Sequence, residues 1–463
     1  MILPDTPACR AARRIAETLR AAGHQAFFAG GCVRDLLLGV APKDFDVATS
    51  ATPNQIVALF DRTLQVGAHF GVILVVQTEA GETLSTEVAT FRHDGVYLDG
   101  RRPDAVQFST DPREDVVRRD FTINGMLLDP FAAPQESVFD FVEGREDLAR
   151  HRIRTIGDAN RRFDEDKLRM LRGIRFAARL GFDLDPKTAA AIHRHAAEIV
   201  QVSQERIREE LTHMLTEGHA RRAFELLHAT GLLSQVLPEV ERLRGVEQPP
   251  QFHPEGDVWV HTLMLLEELP AGCSATLAWG MLLHDIGKPA TFQPPDPRKP
   301  GDRIRFNGHA EVGVRVAQEI LRRLRFSNED CDQIVSLIQN HMRFGDILQM
   351  KQSTLKRFLR LPRFEEHLAL HRADCLSSHG KLNLYDFAKE QYESHEPGQI
   401  RPPLLVTGRD LIAVGYRPGP RFKAMLELAE DAQLDGRAVN SEQALTLIAQ
   451  EFGPPPAVQP AKT

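Results

Sequence analysis

The chain has 463 residues, long enough for about three or four domains. Hydrophobic residues make up 42% and charged residues 26%, which excludes disordered, collagen-like and fibrous classes. The net charge of −7 argues against bulk nucleic-acid binding but leaves room for a local basic groove. The longest aliphatic run, Val72 to Val76, is far short of the roughly 18–20 residues that span a bilayer. The opening stretch MILPDTPACRAARR has no continuous apolar region, so no signal peptide is expected. Five scattered cysteines without a CxxC predict neither a disulfide framework nor a cysteine-rich zinc site, and a reducing cytoplasm follows as the expected compartment.

Residues 8–22 have helical periodicity. Short β-rich runs follow at Gln25 to Ala29, Phe45 to Ala48, Gly71 to Gln77, Thr83 to Thr90 and Val138 to Val142. Strands interleaved with helices predict an α/β head with a small mixed sheet over residues 1–148. Beyond it helical patterns dominate: Asp166 to Leu180, Pro186 to Glu198, Ser203 to Thr216 and Ala220 to Ala229. These predict a helical neck and body over 149–245. The breaker-rich stretch GVEQPPQFHPEGD (245–257) marks a boundary, and QPPDPRKPGD (293–302) reads as a surface loop inside a further helical domain, 246–395. A second Pro-rich joint at 395–403 opens a helical tail, 396–463, whose end, GPPPAVQPAKT, reads as disordered.

Residues 28–48 read FAGGCVRDLLLGVAPKDFDVA. A strand running into Gly30-Gly31 and then a short helix, Val33 to Leu38, would let the backbone approach a phosphate, with Arg34 in the first turn. A glycine pair alone is equally well a turn. Asp44 and Asp46 flank Phe45 on a predicted strand, and a period of 2 puts both carboxylates on one face. Two adjacent carboxylates repel unless a cation joins them, and oxygen ligands of this kind suit Mg²⁺. Read alone, a DxD is as readily a loop or cap feature. Arg118 and Arg119 precede Asp120, as a nucleotide site or a surface ion-pair cluster would have them. On a helix from Glu165, Arg169, Arg172, Arg175 and Arg179 share about a third of the circumference. Met170, Leu171, Ile174, Ala177 and Ala178 take the opposite arc. Such a face either is solvated or holds an anion such as a triphosphate.

Residues 30–46 resemble the head signature of class II tRNA nucleotidyltransferases and bacterial poly(A) polymerases, a branch of the polymerase-β superfamily. Further segments match in order: 87–108 is similar to the family's flexible loop, 118–126 to its ribose-recognising motif, and 165–182 to its nucleotide-selecting helix. The resemblance covers roughly residues 25–240. It implies Asp44 and Asp46 as catalytic Mg²⁺ ligands. Asp166 and Arg169 would read the base, and Gly31, Arg34, Arg119, Arg172 and Arg175 would hold the nucleotide. Lys167 departs from the small or apolar residue expected there, and is placed outside the template. Glu87 is left open between a third carboxylate and an ordinary strand residue. The implied reaction is attack of an RNA 3′-hydroxyl on the α-phosphate of a nucleoside triphosphate, releasing pyrophosphate.

A second constellation follows. His261 is followed by the pair His284-Asp285, which ends an apolar run, Leu277 to Leu283. His309, His341 and Asp374 come later. Imidazole and carboxylate together suit a divalent ion. The spacing resembles the HD phosphohydrolase superfamily, which implies His261, His284, Asp285 and Asp374 as ligands of a second divalent metal (Mg, Mn or Ni). His309 and His341 match the positions of two-metal variants, and a helical scaffold with an empty site is the other reading.

The leading expectation is therefore an enzyme that adds CCA to tRNA from CTP and ATP, with added phosphohydrolase activity. The alternatives are a poly(A) polymerase or a partial CC- or A-adding enzyme, an HD phosphohydrolase with a regulatory head, and a non-enzymatic RNA-binding module. Residues 150–222 carry 16 Lys+Arg against 11 Asp+Glu, a local excess of +5 where an acceptor stem would lie. No membrane partner is expected, and the sequence does not set the oligomeric state.

Overall fold

The computed structural model describes residues 3–67, 71–79, 81–94, 106–133, 135–251, 253–254, 256–395 and 402–455. Most of the loop segment 92–103 and the last residues of the Pro-rich tail lie outside the described residues. The chain forms two compact units. One is residues 1–241 with 269–272 and 323–325, and the other is 242–268 with 273–322 and 326–463.

The first unit is built on a mixed sheet. Its strands are β1 (Ala26–Ala29), β2 (Asp46–Thr49), β3 (Thr63–Gly67), β4 (Val72–Glu79), β5 (Glu82–Thr90), β8 (Met126–Leu128) and β9 (Val138–Asp140). A separate hairpin pairs β6 (Arg92–Asp94) with β7 (Val106–Phe108). The main sheet runs β3-β4-β5-β2-β1-β8-β9. The β2–β5 pair is parallel and the other pairs are antiparallel. Alternation along β1 sends Ala26 and Phe28 into one apolar cluster and Phe27 and Ala29 into another, so the strand is buried on both faces. The helix Pro7–Ala21 covers the first cluster with Ile15, Ala16 and Leu19. The periodicity of 8–22 and the runs at β1, β4 and β5 thus form where the sequence places them. β3 and β8 fall outside the expected strands: both runs are short, and β8, Met-Leu-Leu, has no alternation.

The strand expected over Phe45 to Ala48 begins instead at Asp46, so Asp44 lies in the loop before it. The helix expected from Asp166 is broken there as well. Ala159–Glu165 ends at Asp166, which is extended (φ −149°, ψ 107°), and a new helix runs Leu168–Leu180. The Asp166 side chain caps that new helix by accepting from the Leu168 N–H at 3.0 Å. The apolar arc of the second helix is buried as predicted, with Met170, Leu171, Ile174, Ala177 and Ala178 inside.

In the second unit, the helices Val258–Glu267, Ala275–Leu283, Asn328–Asn340 and Phe364–Ser377 pack on one another. Trp279 is fully buried at its centre, edge-on to Phe326 at 5.2 Å. Gly287 marks the tightest approach. A Cβ there would lie 2.1 Å from the His309 carbonyl oxygen and 2.6 Å from the Gly313 nitrogen. Gly287→Ala should therefore destabilise this unit by about 1–3 kcal/mol, read as a lowered denaturation midpoint. Gly345→Ala, where a Cβ meets nothing within 4 Å, should leave the midpoint nearly unchanged.

Candidate active site and candidate metal centre

The first unit encloses a cavity of about 720 Å³. Its walls bring together Gly30, Gly31, Arg34, Asp44, Asp46, Glu87, Arg119, Asp166, Arg169, Arg172, Arg175 and Arg179. Every residue singled out for the nucleotide site thus meets in one place, although the segments carrying them are up to about 140 residues apart in sequence.

The carboxylates come first. The parallel register Val47↔Val88 sets Glu87 beside Asp46. Burial, with the charges of Glu87 and Asp44 alongside and Arg119 opposing them, pushes Asp46 up to about 6. Glu87, left open above, belongs to this acidic group. Gly30 adopts φ +76°, and a Cβ there would approach Arg119 Nη1 to 3.3 Å, so the glycine turn lets the guanidinium come down onto the carboxylates.

The arginines are each held by an acid. Asp115 is fully buried and binds both Arg118 (2.5 Å) and Arg119 (2.9 Å). Burial pushes Asp115 up, but the two guanidinium charges outweigh it and leave its carboxyl below the usual range. Arg34 donates to Asn124 Oδ1 at 2.8 Å and pairs with Asp35 at 2.7 Å. Arg172 pairs with Asp120 at 2.7 Å, and Arg175 with Glu210 at 2.7 Å. The arginine face expected to be solvated or anion-bound lines the cavity, and protein carboxylates supply part of its counter-charge. Asp166 is gripped by Arg206, whose Nη2 lies 2.8 Å from Oδ2. Arg169 donates to Glu165 at 2.7 Å and to the Arg118 carbonyl at 3.1 Å. Lys167 turns to Glu198 at 2.9 Å and does not line the cavity. Sequence reasoning missed Arg206, Glu210 and Asp115. Only Asp115 had a local signal, its spacing of three and four residues before the arginine pair.

The second unit gathers His261, His284, Asp285, His309, His341 and Asp374. His261 and Asp374 come from different helices, and their Nε2 and Oδ1 atoms lie 3.1 Å apart. Asp285 Oδ2 lies 3.1 Å from His284 Nε2, while its Oδ1 lies 3.5 Å from His309 Nε2 and 3.9 Å from His341 Nε2. The rings of His284, His309 and His341 meet backbone carbonyls through Nδ1, at Met281, Phe306 and Ile338. A neutral imidazole that donates from Nδ1 keeps a lone pair on Nε2. The Nε2 atoms of His309 and His341 lie only 3.1 Å apart, close enough for one cation to be shared between them. Burial pushes His341 down to about 4, which holds it neutral near pH 7. For Asp285, burial acts upward, but the neighbouring His284 imidazole and the Lys288 ammonium hold it well below the usual range. Two groups here could hold a divalent ion, His261–His284–Asp285 and Asp285–His309–His341, with Asp374 against His261.

A carboxylate-lined, arginine-walled cavity on a mixed sheet, joined in one chain to helices carrying a His/Asp metal cage, defines a nucleotidyltransferase with an HD domain. Three family profiles match in that order: "Poly A polymerase head domain" over 26–154, "Probable RNA and SrmB- binding site of polymerase A" over 181–243, and "HD domain" over 257–378. The CCA-adding enzyme of Levilactobacillus brevis is 30% identical over 438 residues, covering 94% of this chain and 96% of that protein. The one from Geobacillus stearothermophilus is 42% identical over 226 residues, covering 49% and 54%. The crystal structure of the Bacillus stearothermophilus CCA-adding enzyme in complex with CTP superposes with a TM-score of 0.72 at 27% identity, covering 96% of this chain and 98% of that one. The chain belongs to the family of CCA-adding enzymes.

The raised Asp46 yields a test that needs no substrate. A carboxyl held above its unfolded value favours folding at low pH and loses that contribution as pH rises through about 6. At pH 7 in chelator, Asp46→Asn should therefore raise the melting temperature. Added Mg²⁺ should raise the melting temperature of the unchanged chain and leave that of the variant where it was. The opposite order would show that Asp46 is not a strained metal ligand.

Proposed function

We propose that this protein adds CCA to the 3′ ends of tRNA from CTP and ATP in the cytoplasm. The observation that carries this reading is the meeting of Asp44, Asp46 and Glu87 with the arginine wall and the Asp166–Arg169 pair in one cavity. Mg²⁺ held by Asp44 and Asp46 would supply activation of the 3′-hydroxyl and charge for the leaving oxygen. The chain does the rest. Gly31, Arg34, Arg119, Arg172 and Arg175 hold the triphosphate, so that the α-phosphorus faces the attacking hydroxyl. As the new P–O bond forms, the bond to the bridging oxygen breaks and pyrophosphate leaves. Asp166 accepts from the exocyclic amine of cytosine or adenine, and Arg169 donates to a ring nitrogen or carbonyl. The flanking helical segment, with its local excess of +5 over residues 150–222, takes the RNA by backbone and shape.

The test is direct. The pure protein with tRNA lacking its 3′ end should incorporate C from CTP alone, and the full CCA with both nucleotides. AMP incorporation alone would favour an A-adding enzyme, and long A tracts a poly(A) polymerase. Asp44→Ala/Asp46→Ala should lower addition by more than about a thousandfold, consistent with loss of the ions that stabilise the transition state. Retained addition would sink the assignment of the head.

A second activity is favoured by the imidazole cage. With His284, His309 and His341 held through Nδ1 and two Nε2 atoms 3.1 Å apart, the second unit would carry out metal-dependent hydrolysis of phosphate esters (Mg, Mn or Ni). His284→Ala should abolish it while leaving nucleotide addition in place. Absence of hydrolysis with every divalent ion would return this unit to the scaffold reading.

A further inference from the structure

Three of the arginines that face the cavity of the first unit share one aromatic ring. The guanidinium carbons of Arg34, Arg172 and Arg175 lie over Phe176, at 5.5, 5.3 and 4.7 Å from the ring centroid. All three fall inside the roughly 6 Å at which a ring face attracts a cation. Arg172, Arg175 and Phe176 stand on the helix Leu168–Leu180, and Arg34 reaches the same ring from the helix Gly31–Leu37. Phe176 is only 5% exposed, and it lines the cavity together with them.

The ring is itself held in place. Phe121, fully buried, stands nearly perpendicular to it (82°), with the two centroids 5.8 Å apart. Gly173 leaves the space that Phe121 needs, since a Cβ there would lie 2.9 Å from Phe121 Cζ. Packing therefore sets the plane of Phe176 independently of any nucleotide.

Each of the three arginines also has an acid: Asp35, Asp120 and Glu210. A carboxylate is a poor companion for a triphosphate, because it repels the phosphate oxygens and draws on the same N–H donors. A ring has no net charge. Its face steadies a guanidinium without adding negative charge beside the ligand, and the attraction grows where water is excluded.

We propose that Phe176 is a positioning residue for the nucleotide: a neutral aromatic floor that gathers Arg34, Arg172 and Arg175 into one receptor for the triphosphate. This rests on the reading of the cavity as a nucleoside triphosphate site. The arginines hold the phosphates before and during the reaction alike, so the ring acts on nucleotide affinity more than on turnover.

Phe176 also packs in the larger apolar cluster of the sheet, so truncation alone would mix lost packing with lost attraction. Fluorination separates the two, because it drains the ring face of electron density and hardly changes its shape. The experiment uses the full chain carrying phenylalanine with no, one, two or three ring fluorines at position 176. CTP and ATP binding are read by titration calorimetry without tRNA, and KM and kcat by nucleotide addition to tRNA. Kd and KM for both nucleotides should rise with each fluorine, to about tenfold at the third, with kcat held within about twofold. Phe176→Leu should weaken nucleotide binding at least as much as the third fluorine does. Two results would overturn the proposal. One is a Kd that stays within about twofold across the fluorine series while Phe176→Leu weakens it, which would make Phe176 an ordinary core residue. The other is a loss confined to kcat. A chain that binds CTP with this fluorine dependence but adds nothing to tRNA would sink the CCA-adding reading and leave the role of Phe176 standing. An unsubstituted chain that binds neither nucleotide would remove that role as well.

Discussion

Pairing of buried and half-buried guanidinium groups with carboxylates is the constraint on which the first unit depends. Arg34, Arg119, Arg169, Arg172 and Arg175 converge on one cavity, and each is tied to its own acid: Asp35, Asp115, Glu165, Asp120 and Glu210. Without those acids, five positive charges would repel one another across a cleft partly shut off from water. Removing one partner of a buried pair costs about 3–5 kcal/mol, because the survivor is left uncompensated. The acids therefore matter to the site as much as the arginines do. They also explain the architecture. Asp120 sits in the segment leading into β8, and Glu210 on the helix Gln204–Thr216, so the sheet and the helical region are joined through the charges of the cavity itself.

The second unit solves a related problem with imidazoles. Its imidazoles are oriented by backbone carbonyls at the ends of helices, and its one central carboxylate, Asp285, faces ring nitrogens with both oxygens. The arrangement needs close backbone approach, which is why a glycine stands at 287. In both units, groups remote from the chemistry decide where the reactive atoms point.

Much of this was legible in the sequence, and the reasons differ by feature. The apolar arc of Leu168–Leu180 could be read because a helix wheel needs only spacing. The aspartates at 44 and 46 and the pair His284-Asp285 stood out because their chemistry is concentrated within a few residues. What stayed hidden was long-range. Arg206 reaches Asp166 across 40 residues, and Glu210 reaches Arg175 across 35, with no local pattern to announce either contact. The break at Asp166 was hidden too, since the residues on both sides favour helix and only the capping of Leu168 shows why the chain turns there. Glu87 could not be told from an ordinary strand residue until the parallel register of β2 and β5 set it against Asp46.

The Nδ1 bonds of the imidazole cage bear on how this protein meets its ion. In a zinc finger the ligands are gathered only when the metal arrives, so metal uptake and folding are a single event. Here the rings are already aimed by carbonyls of their own helix ends and packed inside a formed core. Entry and loss of the ion then become matters of dehydration and exchange, with no chain to reorder. A divalent ion held by this cage would therefore exchange without unfolding of the chain.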